Sequence, residues 1–252
     1  MTVKSSNRDA IAHGKINVEP LREQPKYPSW ALKLTMAVTG VLFGLFVIVH
    51  MLGNLKIFAG EEDFNAYATF LRTVGAPAVP NEGILWIFRI VLLVAIVLHI
   101  FGGLTLAARA KQSRGKFRRQ GMVSSWNTFT ARSMVITGIV LLAFIIFHLL
   151  DLTLGQAVAS DEFVHGAVRN NLLATFAPGR WWVTLVYVVA NLALLLHLTH
   201  GIYLAVSDLG WLGKRGEGLM VILAYILPFI VVAGNVVMPL AIAFGWVPDF
   251  SR

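Results

Sequence analysis

Five stretches of this chain, at about 34–55, 84–108, 133–154, 182–206 and 219–244, run almost unbroken in apolar residues. A bilayer core about 30 Å thick is crossed by about 20 helical residues, and each stretch supplies that length. In hydrocarbon no water pairs the backbone, so a crossing segment must close its hydrogen bonds internally, which makes each stretch a helix. The expected fold is therefore an all-α membrane protein of five transmembrane helices over 34–246, the first four forming a bundle, with residues 1–33 as a polar arm. The composition agrees. Hydrophobic residues make up 57% and charged residues 13%, against roughly half and a quarter in soluble domains. Pro228 and Pro239 predict a kinked or interrupted last helix. The absence of cysteine excludes a disulfide scaffold, a c-type haem attachment and a cysteine-held iron–sulfur cluster in this chain.

Charge sets the expected orientation. Lys4, Arg8, Lys15, Arg22, Lys26 and Lys33 precede the first span; Arg109 to Arg119 follow the second; Lys214 and Arg215 follow the fourth. All three groups fall on one side. The other side carries Glu61, Glu62, Asp63, Asp151, Asp161 and Glu162. The positive-inside rule puts the N-terminus in the cytoplasm and the C-terminus outside.

Within this apolar frame the histidines stand out. His50, His99, His148 and His197 occupy four successive spans at intervals of 49 residues. The interval of 98 is the more telling. It aligns the segments around His99 and His197, each followed four residues later by glycine, and those around His50 and His148 ("FVIVHMLGN", "FIIFHLLDL"). The repeat selects His197 rather than His200. Spans one and three run outward and two and four inward, and every one of these histidines comes late in its span. At 1.5 Å per residue, His50 and His148 lie about 23–25 Å from the inner edge and share an outer level, while His99 and His197 share an inner one. Two imidazole pairs at two depths are what two stacked bis-histidine haems require.

A single membrane histidine often does no more than hydrogen-bond across helices. Four at paired depths argue for function, since ionisable side chains inside a bilayer usually mark functional sites. His200 reads as a hydrogen-bond partner or an inner-edge residue, and His13 and His165 as solvated. Gly53, Gly102, Gly103 and Gly201 are expected to let a flat macrocycle approach the backbone, whereas Gly40 and Gly44 read as helix-packing residues. Arg89 either snorkels to the surface or meets an outer haem propionate.

"HMLGNLKIF" and "FNAYATFLR", followed by "FHLLD" and "HLTHGIY", resemble the di-haem cytochrome b anchor of succinate:quinone oxidoreductases, the five-helix single-anchor type found in succinate dehydrogenases and fumarate reductases. The resemblance covers about 30–245. It implies two haem b groups, with iron held by His50 and His148 (outer) and by His99 and His197 (inner), and a membrane quinone, expected to be menaquinone. It also implies docking of a flavoprotein and an iron–sulfur subunit on the cytoplasmic face of a bacterial membrane, and no nucleic-acid partner. Electrons would pass between the iron–sulfur subunit and quinone, with the dicarboxylate chemistry on another chain. Quinone reduction needs protons, and the acids nearest the outer level are Asp151, Glu61, Glu62 and Asp63. Three other readings stay open: the quinol:fumarate reductase direction, the haem b anchor of another quinone-linked dehydrogenase or of a hydrogenase, and a transporter with a histidine proton relay.

Overall fold

The structure, a computed structural model, describes residues 26–114, 125–210 and 216–247. The described residues form helices and connecting turns, with no strand among them. Helix α1 spans Ser29–Leu55 and runs through a 3-10 turn, Lys56–Ala59, into a short helix α2, Glu61–Thr73. Helix α3 spans Gly83–Arg114 and α4 Ser125–His148; α4 continues into a π-helical turn, Leu149–Leu154. Helix α5 spans Val168–Thr175 and α6 Trp181–Asp208. The last crossing is broken as its prolines predict: α7, Glu217–Val221, passes through a π turn, Ile222–Ile226, into α8, Leu227–Ala243, with Pro228 at its start and Pro239 inside.

Five helical segments are long and apolar enough to cross a bilayer: Ser29–Ala59, Gly83–Ser113, Arg132–Leu154, Pro178–Asp208 and Gly218–Ala243. They correspond to the five expected spans, and the chain is a multi-pass membrane protein. Residues 1–25 of the expected arm, the basic segment 115–119, and Lys214 and Arg215 lie outside the described residues. The rest of the arm differs from expectation, because α1 already begins at Ser29, directly after Pro28. Proline cannot continue a helix backwards but pre-sets the turn that enters one.

The bundle is made of two antiparallel pairs, α1 with α3 and α4 with α6; α1 and α6 join the pairs, and α8 packs against both. Leu45, Val94, Val97, Ile139 and Phe229 are among many large apolar side chains left exposed along the spans. In water such surface would drive association; in hydrocarbon it is simply solvated.

One end of the bundle is capped. Here Ile57, Phe64, Leu172, Phe176, Val183, Tyr187, Met238 and Ile242 form a buried cluster that gathers α2 and α5 onto α6 and α8. Asn171 closes the loop before α5 by accepting from Val164 N–H (2.9 Å) and donating to Val164 C=O (2.8 Å). Arg169, almost fully buried, pairs with Glu61 across α5 and α2 at 3.5 Å. Gly155 ends the π turn in the left-handed region (φ 63°), and the Phe163 ring fills the space a β-carbon would need. Only glycine meets both demands. At the opposite, open end, Arg109 of α3 donates to Ser29 Oγ (3.0 Å) and Tyr27 C=O (2.7 Å), tying α3 to the start of α1.

Candidate functional site

Each of the four histidines lies on a different long helix, and the fold brings them together two by two. His50 on α1 faces His148 on α4 with ring centroids 5.8 Å apart. His99 on α3 faces His197 on α6 at 6.3 Å. Both contacts join one helical pair to the other, as the 98-residue interval predicts. His200 is not part of either pair; its ring stacks on Tyr203 at 6.4 Å.

What holds the rings is not in the histidine pattern. Thr39 Oγ1 lies 2.9 Å from His99 Nδ1, and Thr137 Oγ1 lies 3.1 Å from His197 Nδ1. The single hydroxyl proton of Thr39 is committed to Thr35 C=O (2.7 Å), and that of Thr137 to Ser133 C=O (2.9 Å). Each hydroxyl can therefore only accept from the imidazole, so Nδ1 carries the hydrogen and Nε2 keeps its lone pair. His148 is held differently. Its Nδ1 lies 3.1 Å from the Tyr187 hydroxyl, which donates to Asp151 Oδ2 at 3.0 Å. The same proton count makes Nδ1–H the donor and frees Nε2. His50 is fixed by ring contact, stacked on Phe46 at 5.4 Å.

Thr39 and Thr137 are 98 residues apart, as are His99 and His197, and each threonine is followed by glycine. Gly40 and Gly138 lie against the rings: a β-carbon there would sit 3.7 Å from His99 Cε1 and 3.6 Å from His197 Cε1. Each repeat thus places a Thr-Gly on one helix against a histidine on its partner. The hydrogen bonds run within a pair of helices and the ring contacts run between pairs. Extending the repeat eleven residues upstream of His50 and His148 reaches both Thr-Gly sites, so this signal was present in the sequence.

Three of the four glycines expected beside the ligands, Gly53, Gly102 and Gly103, lie against other side chains of this chain. A β-carbon on Gly53 would meet the Tyr67 ring at 2.8 Å, and one on Gly102 would meet Met36 Sδ at 3.0 Å. These positions admit side chains of this chain. Gly103 also faces Met36, and Gly201 has open space beside it. Conversely Gly40, read from the sequence as helix packing, is the residue that approaches a histidine.

The expected acids are dispersed. Asp151 is fully buried in the π turn after His148, where it accepts from Tyr187 and from Thr175 (3.4 Å) and lies 3.6 Å from Arg180 Nη2. Glu61 is engaged by Arg169, while Glu62 and Asp63 are exposed in the first turn of α2. Arg89 is exposed and lies over the Trp86 ring at 4.8 Å. Arg180, which the sequence reading passed over, is the hub of the cap. It donates to Val158 C=O (2.6 Å), Ala159 C=O (3.1 Å) and Thr175 C=O (3.3 Å), and pairs with Asp151. A cleft of about 330 Å³ opens at the other end, lined by Trp30, Lys33, Leu34, Ala37, Asp208 and Leu209, with a Lys33–Asp208 ion pair of 2.7 Å on its rim.

The donor set can be tested against a haem iron. Two metal–imidazole bonds of about 2.0–2.1 Å each, with the half-widths of two rings, come to roughly 6 Å between ring centroids. The observed separations of 5.8 and 6.3 Å lie near that value. The tautomers leave Nε2 free on His99, His197 and His148, and no group of three or more metal-ligating side chains occurs among the described residues. Each pair of imidazoles could hold one metal ion between them; the described residues offer no larger donor set for a multidentate cage.

Residues 110–233 match the family of succinate dehydrogenase/fumarate reductase transmembrane subunits. No curated protein gives a match to the chain. The family match covers just under half of the sequence and supports a transmembrane subunit of a succinate dehydrogenase or fumarate reductase. It takes in Thr137, His148, Asp151, Tyr187 and His197 and stops short of Thr39, His50 and His99. The 98-residue repeat relates those three positions to Thr137, His148 and His197 within the matched segment, so the first helical pair carries the same threonine and histidine pattern as the part that matches this family.

Proposed function

We propose that the chain is the di-haem cytochrome b anchor of a succinate:quinone oxidoreductase, working in the succinate dehydrogenase direction. His99 and His197 would hold one haem b at the open end, His50 and His148 a second at the capped end. Bound haem supplies one-electron transfer between an iron–sulfur subunit and membrane quinone, expected to be menaquinone. The observation that carries this reading is the pair of imidazole–imidazole contacts at two levels, with three of the four rings held through Nδ1 so that Nε2 keeps its lone pair.

The residues of this chain have distinct tasks in that scheme. Thr39 and Thr137 fix the tautomers at the open end. Gly40 and Gly138 leave the flanks of His99 and His197 free of side-chain bulk. The apolar bundle excludes water from the rings. The open end would face the cytoplasm and receive the flavoprotein and iron–sulfur subunits, with Arg109 and Lys111 of α3 on that side. The quinone site is placed at the capped end, where Glu61, Glu62 and Asp63 are the acids nearest water and Asp151 the nearest buried one. A second placement is favoured by the cleft between Trp30, Lys33 and Asp208 at the open end. A photoreactive quinone analogue separates the two, labelling α2 or the π turn after His148 in the first case and Trp30–Leu34 in the second.

The main reading is tested by haem extraction and a reduced-minus-oxidised spectrum of the purified protein, with the masses of co-purifying subunits. Two low-spin b haems per chain, together with a flavoprotein and an iron–sulfur subunit, are expected. One haem or none defeats the di-haem reading, and a haem-free chain would return the histidines to a proton-relay role.

A further inference from the structure

Asp151 is the one acidic side chain among the described residues with no exposed surface at all. Burying a carboxylate costs several kcal/mol unless it is paired and hydrogen-bonded, so its position calls for an explanation. Its partners supply the pairing: Arg180 at 3.6 Å, Thr175 at 3.4 Å and Tyr187 at 3.0 Å. Only Tyr187 points onward. Its hydroxyl has one proton, given to Asp151, and a lone pair, which receives Nδ1–H of His148 at 3.1 Å. The tyrosine cannot swing away, because its ring is packed edge-on against Phe144 (4.9 Å) and Phe176 (4.7 Å).

We propose that Asp151, acting through Tyr187, is a positioning residue that fixes the tautomer of His148, makes its imidazole a stronger electron donor, and so lowers the redox potential of the haem at the capped end. This rests on the reading of His148 as a haem ligand.

Two comparisons within the chain support it. His99 and His197 lean on threonine hydroxyls whose protons go to backbone carbonyls, so their hydrogen-bond chains end on neutral groups. The chain from His148 ends on a carboxylate flanked by a guanidinium. A partner that is itself bonded to an anion polarises the N–H more strongly and raises the basicity of the ring. A more basic ligand favours ferric over ferrous iron. The repeat also breaks at this point. The positions 98 residues before Tyr187 and Asp151 are Arg89 and Gly53, and Gly53 is filled by Tyr67. The relay is therefore an addition to the second half and not a by-product of the repeated architecture. The π turn Leu149–Leu154 carries Asp151, and such irregular turns inside helices recur at functional sites.

The test is a redox titration, followed by haem absorbance, of the purified complex carrying Tyr187→Phe or Asp151→Asn. The capped-end haem is identified as the one lost in His148→Ala. Tyr187→Phe removes only the hydroxyl and keeps the ring packing, and the open-end haem reports whether the bundle is intact. Changes beside a metal-bound histidine alter metal affinity by tenfold or more. A tenfold loss of ferric over ferrous preference raises the midpoint potential by about 59 mV for one electron. The expected result is such a rise for the capped-end haem in both variants, with the open-end haem unmoved. An unmoved capped-end potential, an equal shift of both haems, or loss of both from Tyr187→Phe overturns the inference. Two haems in the unaltered protein with that negative result leave the ligand reading standing, whereas no haem in the unaltered protein removes the ligand reading itself.

Discussion

Replacing Thr137 by valine removes a hydroxyl and almost no volume. In the native bundle that hydroxyl accepts from His197 Nδ1 at 3.1 Å while donating to Ser133 C=O. Thr137 is only 5% exposed, so no water replaces it. The variant strands an imidazole N–H in an apolar interior, at a cost of about 1–3 kcal/mol. The carbonyl of Ser133 keeps its helical partner and loses little. At 1.4 kcal/mol per decade, the open-end haem should bind roughly tenfold to a hundredfold more weakly. Thr39→Val should act alike through His99. The double variant should fall short of the sum, because both rings would serve one metal. The assay is the rate at which haem passes from the detergent-solubilised protein to an excess of apo-globin, read at the open-end haem. Thr137→Ser, which keeps the hydroxyl, should restore retention. Threonine in a helix often bonds back to its own carbonyls with no further role. Wild-type haem retention in Thr137→Val and in Thr39→Val would show that these two do only that.

Three further outcomes are expected. His197→Ala should remove one haem and His200→Ala neither, measured by haem extraction; the reverse would show that the 98-residue repeat had been aligned on the wrong histidine. Arg180→Gln leaves Asp151 buried without its cation and frees the carbonyls of Val158 and Ala159, so a loss of about 3–5 kcal/mol is expected, read as a lower midpoint of thermal unfolding in detergent. An unchanged midpoint would mean that the cap does not depend on this pair. The chain has no cysteine, so single cysteines at Ser113 and Asp161 report sidedness directly. A membrane-impermeant maleimide should label Asp161→Cys in intact cells and Ser113→Cys only after lysis, and the opposite pattern would invert the proposed topology.

The sequence by itself determined the quantities that run along one dimension. Apolar length against bilayer thickness fixed five helices, and Pro228 and Pro239 marked the broken one. The interval of 98 residues paired His50 with His148 and His99 with His197, because helices of similar length and equal late placement put equivalent residues at equal depth. How each helix is rotated about its own axis is not written in depth. One residue turns a helix by about 100°, so depth alone could not say whether Thr39 or its neighbour meets His99, or that Gly53 receives Tyr67 while Gly40 lies against a ring. The fate of Asp151 depended on still more distant events. The π turn had to carry it inward, and α5 and the loop before α6 had to bring Thr175 and Arg180 over it. Those contacts join residues 24 and 29 positions apart, in segments whose hydropathy carries no mark of the meeting. An aspartate that looks like a solvated loop acid in the sequence thus becomes, in the folded chain, the buried end of a hydrogen-bonded line leading to His148.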